Sequence, residues 1–247
     1  MARSDAAEAL IAECSARSLR AMANAALDII GQTQRWADSG RSALQMTIGH
    51  VAPIAWQHHP DGDARDRNSG YRWYYHCHGA TQRAGEHGHF HLFSEHQRST
   101  REAPTLTHLV AIGIDARGLP TRAFTVNRWV TDEVWRDAPQ VLRRLARFRV
   151  DLDGEHGDVS RWLSALTVLF GPQLKQVVID RDAAMNRRAQ GGGRPNLRDD
   201  RRLEVISQLG LSLARQINAI DARLDTLRKR SLRMPPAMLA YQEDTLR

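Results

Sequence analysis

The chain has 247 residues, 42% hydrophobic and 26% charged, a balance that fits a globular protein and excludes fibrous and disordered classes. No apolar run approaches the roughly 18 to 20 residues that cross a bilayer, and the start MARSDAAEAL lacks the charged and apolar regions of a secretory signal, so no membrane and a cytoplasmic location are expected. The formal charge of +7 permits attraction to acidic surfaces, but the arginines are scattered, and two cysteines, Cys14 and Cys77, make no disulfide framework.

Residues 5 to 30 place Leu10, Ile11, Cys14, Met22, Leu27 and Ile30 at helical spacing, with Ser4 as N-cap and Gly31 as terminator. A second short helix is expected over 33 to 45 around Trp36. The run TIGHVAPI, Thr47 to Ile54, reads as an edge strand, because Pro53 is awkward in a central one. HHPDGDARDRNSG, residues 58 to 70, is full of turn-formers and reads as a loop.

The next stretch, Tyr71 to His96, carries the chemistry. YRWYYHCH and EHGHFHLFSEH read as two strands joined by GATQRAG, a β-hairpin. Alternation puts Trp73, Tyr75 and Cys77 on one face of the first strand and Tyr74, His76 and His78 on the other; His87, His89 and His91 share a face of the second. Only one pairing parity sets Trp73, Tyr75 and Cys77 across from Phe90 and Leu92. With paired residue numbers summing to 165, His76 faces His89 and His78 faces His87, their Cβ atoms roughly 4.5 to 5.5 Å apart. Burial of the apolar face would then fix the histidine face.

Ten of the eleven histidines fall between His50 and His108. Imidazoles gathered on one patch repel if protonated and need partners for every ring nitrogen if neutral. A metal ion removes both difficulties, and an imidazole-dominated set suits Fe, Cu or Zn. Glu86 and Glu95 are the nearest carboxylates, either completing a mixed site or orienting a ligand imidazole. A cupin follows its HxH pair with Glu after three or four residues, whereas Glu86 lies eight beyond His78. HExxH, paired CxxC, GxSxG, Walker and Rossmann patterns are absent, which argues against serine-hydrolase, nucleotide-dependent and dinucleotide-dependent chemistry.

THLVAIGID and TRAFTVNRWV form a second hairpin around Gly118 and Pro120, with Val110 and Ile112 paired to Val126 and Phe124 and His108 on the side of Val110. Asn127, Arg128 and Trp129 end the returning strand, the first two as candidates for catalytic contact with substrate. Helices follow from Asp137 and Pro139, from Asp158 or Ser160, and over 173 to 190. GGGRPN, residues 191 to 196, reads as a linker, and beyond it one long helix over about 198 to 230 carries Ile206, Leu213, Ile217, Ile220, Leu224 and Leu227 at the spacing of a heptad seam.

The run YYHCHGATQRAGEHGHFHLF followed by HLVAIGIDARGLPTRAFTVNRWVTDEVW resembles a bacterial domain family of unknown function, over about residues 70 to 135. The resemblance implies that the histidine hairpin and the NRWVTDE strand end belong to one unit; it supplies no reaction.

The expected fold is α+β: a small, mainly antiparallel sheet of four or five strands packed by helices, as a domain over 1 to 190 with a long C-terminal helix over 197 to 231 packed on it or on a second subunit of a homodimer. The expected function is that of a metal-dependent enzyme in which His76, His78, His87 and His89 hold one transition metal ion, with His91, Glu86 or His108 adjacent. An open position takes water, dioxygen or a small-molecule substrate; iron or copper implies oxidation of the small molecule, the favoured reading, and zinc implies a metal-bound water as nucleophile. The alternatives are a non-catalytic metal-binding module using the same residues, and a nucleic-acid-binding module working through RKRSLR, residues 228 to 233, which no recognised motif supports.

Overall fold

Alternate residues of the segment from Tyr71 to Ser94 are large and apolar, and covering them decides the architecture. The computed structural model describes residues 5–50, 52–79, 82–96, 104–191 and 196–233. Helices α1 (Asp5–Ala12), α2 (Ala16–Asp38) and α3 (Ala43–Ile48) come first, then strands β1 (His59–Asp66), β2 (Tyr71–His76), β3 (Gly88–His96), β4 (Thr105–Ile114) and β5 (Pro120–Val126). The short α4 (Arg128–Thr131) is followed by α5 (Ala138–Leu145), α6 (Gly154–Leu169), α7 (Gly171–Gln190), strand β6 (Val205–Gly210) and α8 (Leu213–Arg233). The strands form one antiparallel sheet in the order β1-β2-β3-β4-β5-β6. The fold is α+β as expected, with six strands instead of four or five.

Strands β2 and β3 pair with residue numbers summing to 165 throughout, so Trp73 faces Leu92, Tyr75 faces Phe90 and His76 faces His89. One face of the sheet presents Trp73, Tyr75, Phe90, Leu92, Val110 and Ile112, all fully buried in a core shared with Leu19 and Ile29 of α2, Leu163 and Leu166 of α6 and Val177 of α7. Each such side chain contributes about 1.5–3 kcal/mol by leaving water. The Trp73 indole N–H donates to Ser160 Oγ at 2.8 Å, which satisfies its polar atom inside the core.

Pairing between β3 and β4 keeps a constant register from Gly88↔Ile114 to Leu92↔Val110 and then shifts, so that Phe93 faces His108. Leu109 is the extra residue of a β-bulge. It carries His108 away from the side of Val110, where strict alternation puts it, onto the face of His91 and Phe93. A second correction concerns β5: Phe124 pairs with Ala111 and Ile112 with Ala123, so Phe124 and Val126 pack with Ala111 on the histidine face and not with Val110 and Ile112.

Other boundaries differ for local reasons. The first helical stretch breaks at Ser15, whose hydroxyl caps α2 by accepting from the Ser18 N–H; α2 then runs through Gly31 and includes Trp36. Thr47 lies in α3, and the edge strand is β1, inside the segment expected as a loop. Helix α6 starts at Gly154 behind Asp153, four residues before Asp158. The long helix expected from 198 begins only at Leu213, because residues 205 to 210 pair with β5 as β6. There Ser207 Oγ donates to the Val177 carbonyl at 2.7 Å and shares a 2.6 Å hydrogen bond with Thr125. The seam residues Leu213, Ile217, Ile220, Leu224 and Leu227 pack into the chain's own core, against α1 and α2. Ser4 and most of the expected linker, residues 192 to 195, lie outside the described residues. Among the described residues no single helix is long and apolar enough to cross a membrane.

A Cβ at Gly88 would lie 2.2 Å from Tyr75 Oη and 2.5 Å from the His76 carbonyl oxygen, and the backbone atom cannot swing away. Gly88→Ala is expected to lower stability by about 1–3 kcal/mol through overpacking, read as a reduced urea midpoint at an unchanged m-value.

Candidate metal centre

The sheet face opposite the helices is where the histidines gather. His76 ends β2, His89 and His91 lie on β3, and His108 is brought beside them by the Leu109 bulge. His76 Nε2 and His89 Nε2 share a hydrogen bond at 2.8 Å, and the His91 ring centroid lies 5.1 Å from that of His76 and 4.9 Å from that of His89. His76, His89 and His91 each offer one ligand atom, all within 4.8 Å of one another, and all three are buried.

Glu86 stands behind His89. Its Oε1 is 3.2 Å from His89 Nδ1 and accepts from Gln82 Nε2 at 3.0 Å, while Arg122 grips both oxygens, Nε at 2.6 Å and Nη2 at 3.1 Å. Burial alone would raise the Glu86 carboxyl, but the His89 and Arg122 hydrogen bonds outweigh it and hold the pKa down at about 2. A carboxylate can only accept, so Nδ1 of His89 carries a proton toward Glu86, and Nε2 is the nitrogen left facing His76. Gly113, the neighbour of His89 and Arg122 in the sheet, makes room: a Cβ there would sit 2.4 Å from Glu86 Oε2.

His91 shares a 3.0 Å hydrogen bond through Nδ1 with His108 Nε2, and its own Nε2 is buried without a partner among the described residues. His76 Nδ1 is likewise unpartnered. An orphaned buried nitrogen costs about 1–3 kcal/mol, a cost that a bound cation would remove. Burial first, and neighbouring imidazoles second, push His76 down to about 2 and His91 far below the usual histidine range. Burial, with Arg181 and His89 adding, takes His108 to about 3. These rings are neutral at physiological pH and their lone pairs are available.

Loops wall the site. Trp56 stacks on His78 at 4.2 Å between centroids, and His58 stacks on Tyr74 at 3.6 Å while bonding Asp63 at 2.9 Å. His78 lies just past β2, half-buried, its ring 5.0 Å from both His76 and His89. A cavity of about 390 Å³ opens there, lined among others by His78, Gln82, His89 and Arg122. Phe124 closes the opposite side, 5.1 Å from His89 and beneath the Arg122 guanidinium at 3.9 Å. At the far end Glu133 Oε2 accepts from the His108 backbone N–H at 2.6 Å, and burial raises its carboxyl to about 8 against the pull of that N–H and of Arg181.

Of the five histidines expected as ligands, then, His76, His89 and His91 converge and His78 stands beside them. His87 does not: β3 begins at Gly88, and the His87 ring turns to the helix-covered face, where Nδ1 shares a 2.6 Å hydrogen bond with the Tyr75 hydroxyl. Glu86 supports His89. Asn127 and Arg128 do structural work instead of facing a substrate. Asn127 is fully buried, caps α4 by accepting from the Arg128 N–H and donates to the Leu197 carbonyl at 2.9 Å; Arg128 pairs with Asp199. Arg122, Gln82, Gly113 and Trp56 were not picked out from sequence. Arg122 alone left a signal, two residues before Phe124 on a strand where alternate residues share a face.

The chain belongs to the family described as a domain of unknown function (DUF6969), whose model matches residues 23–211. No curated protein and no solved structure matches it. The DUF6969 match takes in the whole sheet and ends one residue past β6, so every residue of the histidine site lies within it, and α1 and α8 lie outside.

The depressed histidines tie stability to pH. Their folded pKa values lie below the 6.5 of the unfolded chain, so the unfolded state binds more protons once pH falls beneath about 6.5, and stability is lost from there down toward pH 3. Each ring contributes up to about 1.4 kcal/mol per pH unit, about 4 kcal/mol per unit for His76, His91 and His108 together. Glu133, raised to about 8, opposes this by up to about 1.4 kcal/mol per unit over the same range. Urea titrations of metal-free protein from pH 6.5 down to 5 are therefore expected to show a smaller net decline, and a flat profile there would contradict neutral buried rings at His76, His91 and His108.

Proposed function

We propose that this chain is a metal-dependent enzyme in which His76, His89 and His91 hold one transition metal ion and a small-molecule substrate enters from the His78 side. The observation that supports the reading is the convergence of three buried imidazoles that each offer a ligand atom within 4.8 Å of the others, with His91 Nε2 and His76 Nδ1 unpartnered among the described residues. Imidazole donors suit Fe, Cu and Zn. Glu86 is engaged by Arg122 and His89, so it acts behind a ligand ring and not as the carboxylate of a facial triad.

The reaction we favour is oxidation of the small molecule, for which iron or copper would supply the redox couple when bound and dioxygen would be the terminal electron acceptor. Tyr74, Phe93 and Phe124 lie against the imidazoles, with ring centroids 5.0 to 6.3 Å from His91, and keep bulk water off that side. Water exclusion suits a redox step better than a hydrolytic one, in which water is a reactant. The chain's own residues supply the rest. Glu86 sets the tautomer of His89, Arg122 holds Glu86 ionised, and His108 orients His91.

Protein purified without an affinity tag and reconstituted with Fe, Cu or Zn is expected to retain about one equivalent of a single metal per chain. His76→Ala combined with His89→Ala is expected to abolish retention in a chain that still shows native circular dichroism. Metal content unchanged in that double variant sinks the proposal. Glu86→Gln, which keeps the side-chain shape but weakens the grip on His89 Nδ1, is expected to lower metal affinity by about 10- to 100-fold.

A further inference from the structure

Two guanidinium groups meet at one neutral oxygen beside the histidines. Arg83 Nη1 donates to Gln208 Oε1 at 2.9 Å and Arg122 Nη1 donates to the same atom at 3.0 Å. An amide oxygen carries no charge, so an anionic acceptor in its place would add a Coulombic attraction to both guanidinium groups that the amide lacks. Arg122 spends its Nε and Nη2 on Glu86, which leaves Nη1 as its outward donor. Arg83 is exposed and makes no ion pair among the described residues. Arg83, Glu86, Arg122 and Gln208 line the 390 Å³ cavity that reaches His78 and His89, and also an adjoining cavity of about 530 Å³ that Arg215 enters. Both volumes lie in the range of small-molecule sites.

We propose that Arg83 and Arg122 are the recognition point for a carboxylate on the substrate, with Gln208 as the internal acceptor that the carboxylate displaces. As an account of substrate class this rests on the metal-centre reading; as an anion site it stands on the arginines alone. Charge selects the monoanion. At the Gln208 oxygen Glu86 pairs with Arg122 and leaves Arg83 as the charge without an ion-pair partner among the described residues, so that point complements a single negative charge, while Glu86 and the exposed Glu204, which also lines the cavity, repel a phosphate dianion. Arg122 also links recognition to the centre, since Glu86 Oε1 accepts from Arg122 and bonds His89 Nδ1. A substrate gripped there has its carboxylate end in the same cavity as the His89 ligand ring, and its body is directed to chemistry near that ring.

The test is calorimetric titration of acetate, acetamide and inorganic phosphate into the full chain, metal-free and zinc-loaded. Acetate is expected to bind more tightly than either acetamide or phosphate. Arg83→Ala, on an exposed side chain, is expected to weaken acetate about tenfold or more, the loss of one charge-assisted donor. Gln208→Ala, which removes the competing acceptor, is expected to strengthen it. Acetate affinity unchanged in Arg83→Ala, or phosphate binding more tightly than acetate, overturns the proposal. The two readings fail separately. Arg83-dependent acetate binding in metal-free protein supports the carboxylate site even if no metal is retained, and normal metal content with no such binding overturns the carboxylate site alone.

Discussion

Everything at the histidine face depends on the register between β2 and β3. A strand has a side-chain period of two, so a slip by one residue would send Trp73, Tyr75, Phe90 and Leu92 into the loops and the histidines into the helical core. Four large apolar side chains at about 1.5–3 kcal/mol each oppose that slip. Their burial is the force that holds His76 against His89 at 2.8 Å, an arrangement in which the imidazoles themselves contribute mainly desolvation cost. The histidine face is positioned by the apolar face.

Charge decides what that arrangement can do. With His76, His91 and His108 pushed far below the usual histidine range, the cluster is a set of lone pairs and not of cations. The carboxylate that touches a ring of the buried cluster is Glu86, kept ionised by Arg122, and it fits because position 113 lacks a side chain. At the other end the Glu133 carboxyl is pushed up to about 8, so it is largely neutral near pH 7 and adds little further charge. The Glu86 carboxylate is matched by the Arg122 guanidinium, so what the buried rings offer a cation is lone pairs, while Arg83 is the exposed cationic group at the cavity.

The parts that were legible in the sequence are those governed by strict alternation. The sum of 165, the pairing of His76 with His89 and the split between aromatic and histidine faces all follow from period two and a buried side, and they hold. Where one residue breaks the period, the reading fails. Nothing in LTHLVAIG announces that Leu109 is a bulge, yet the bulge moves His108 to the other face and gives His91 its partner. His87 was assigned by extending alternation past the strand's first residue, where the chain turns instead toward Tyr75. Strand β1 was hidden by Pro60, Gly62 and three aspartates, which read as loop; its edge is held by charge, through Arg65 and Arg72 to Glu95 and Arg72 to Asp63, and not by apolar alternation.

Strand β6 was hidden by a coincidence of spacing, since Ile206 and Leu213 sit seven apart and extend a real helical stripe backwards across it. Its consequence for the site is larger than its length. Without β6, β5 would be the sheet edge, and the Arg122 guanidinium, which closes the ring of contacts to Glu86 and His89, would stand at an open margin. With it, Gln208 is fixed opposite Phe124 by the ladder, within reach of both Arg122 and Arg83, and the loop that carries Arg83 is tied to the sheet. A strand delivered after four helices therefore completes the wall of a cavity whose histidine rings were laid down more than a hundred residues earlier. That is why the family match has to run to residue 211 to contain the site, although the histidine signature ends near residue 96.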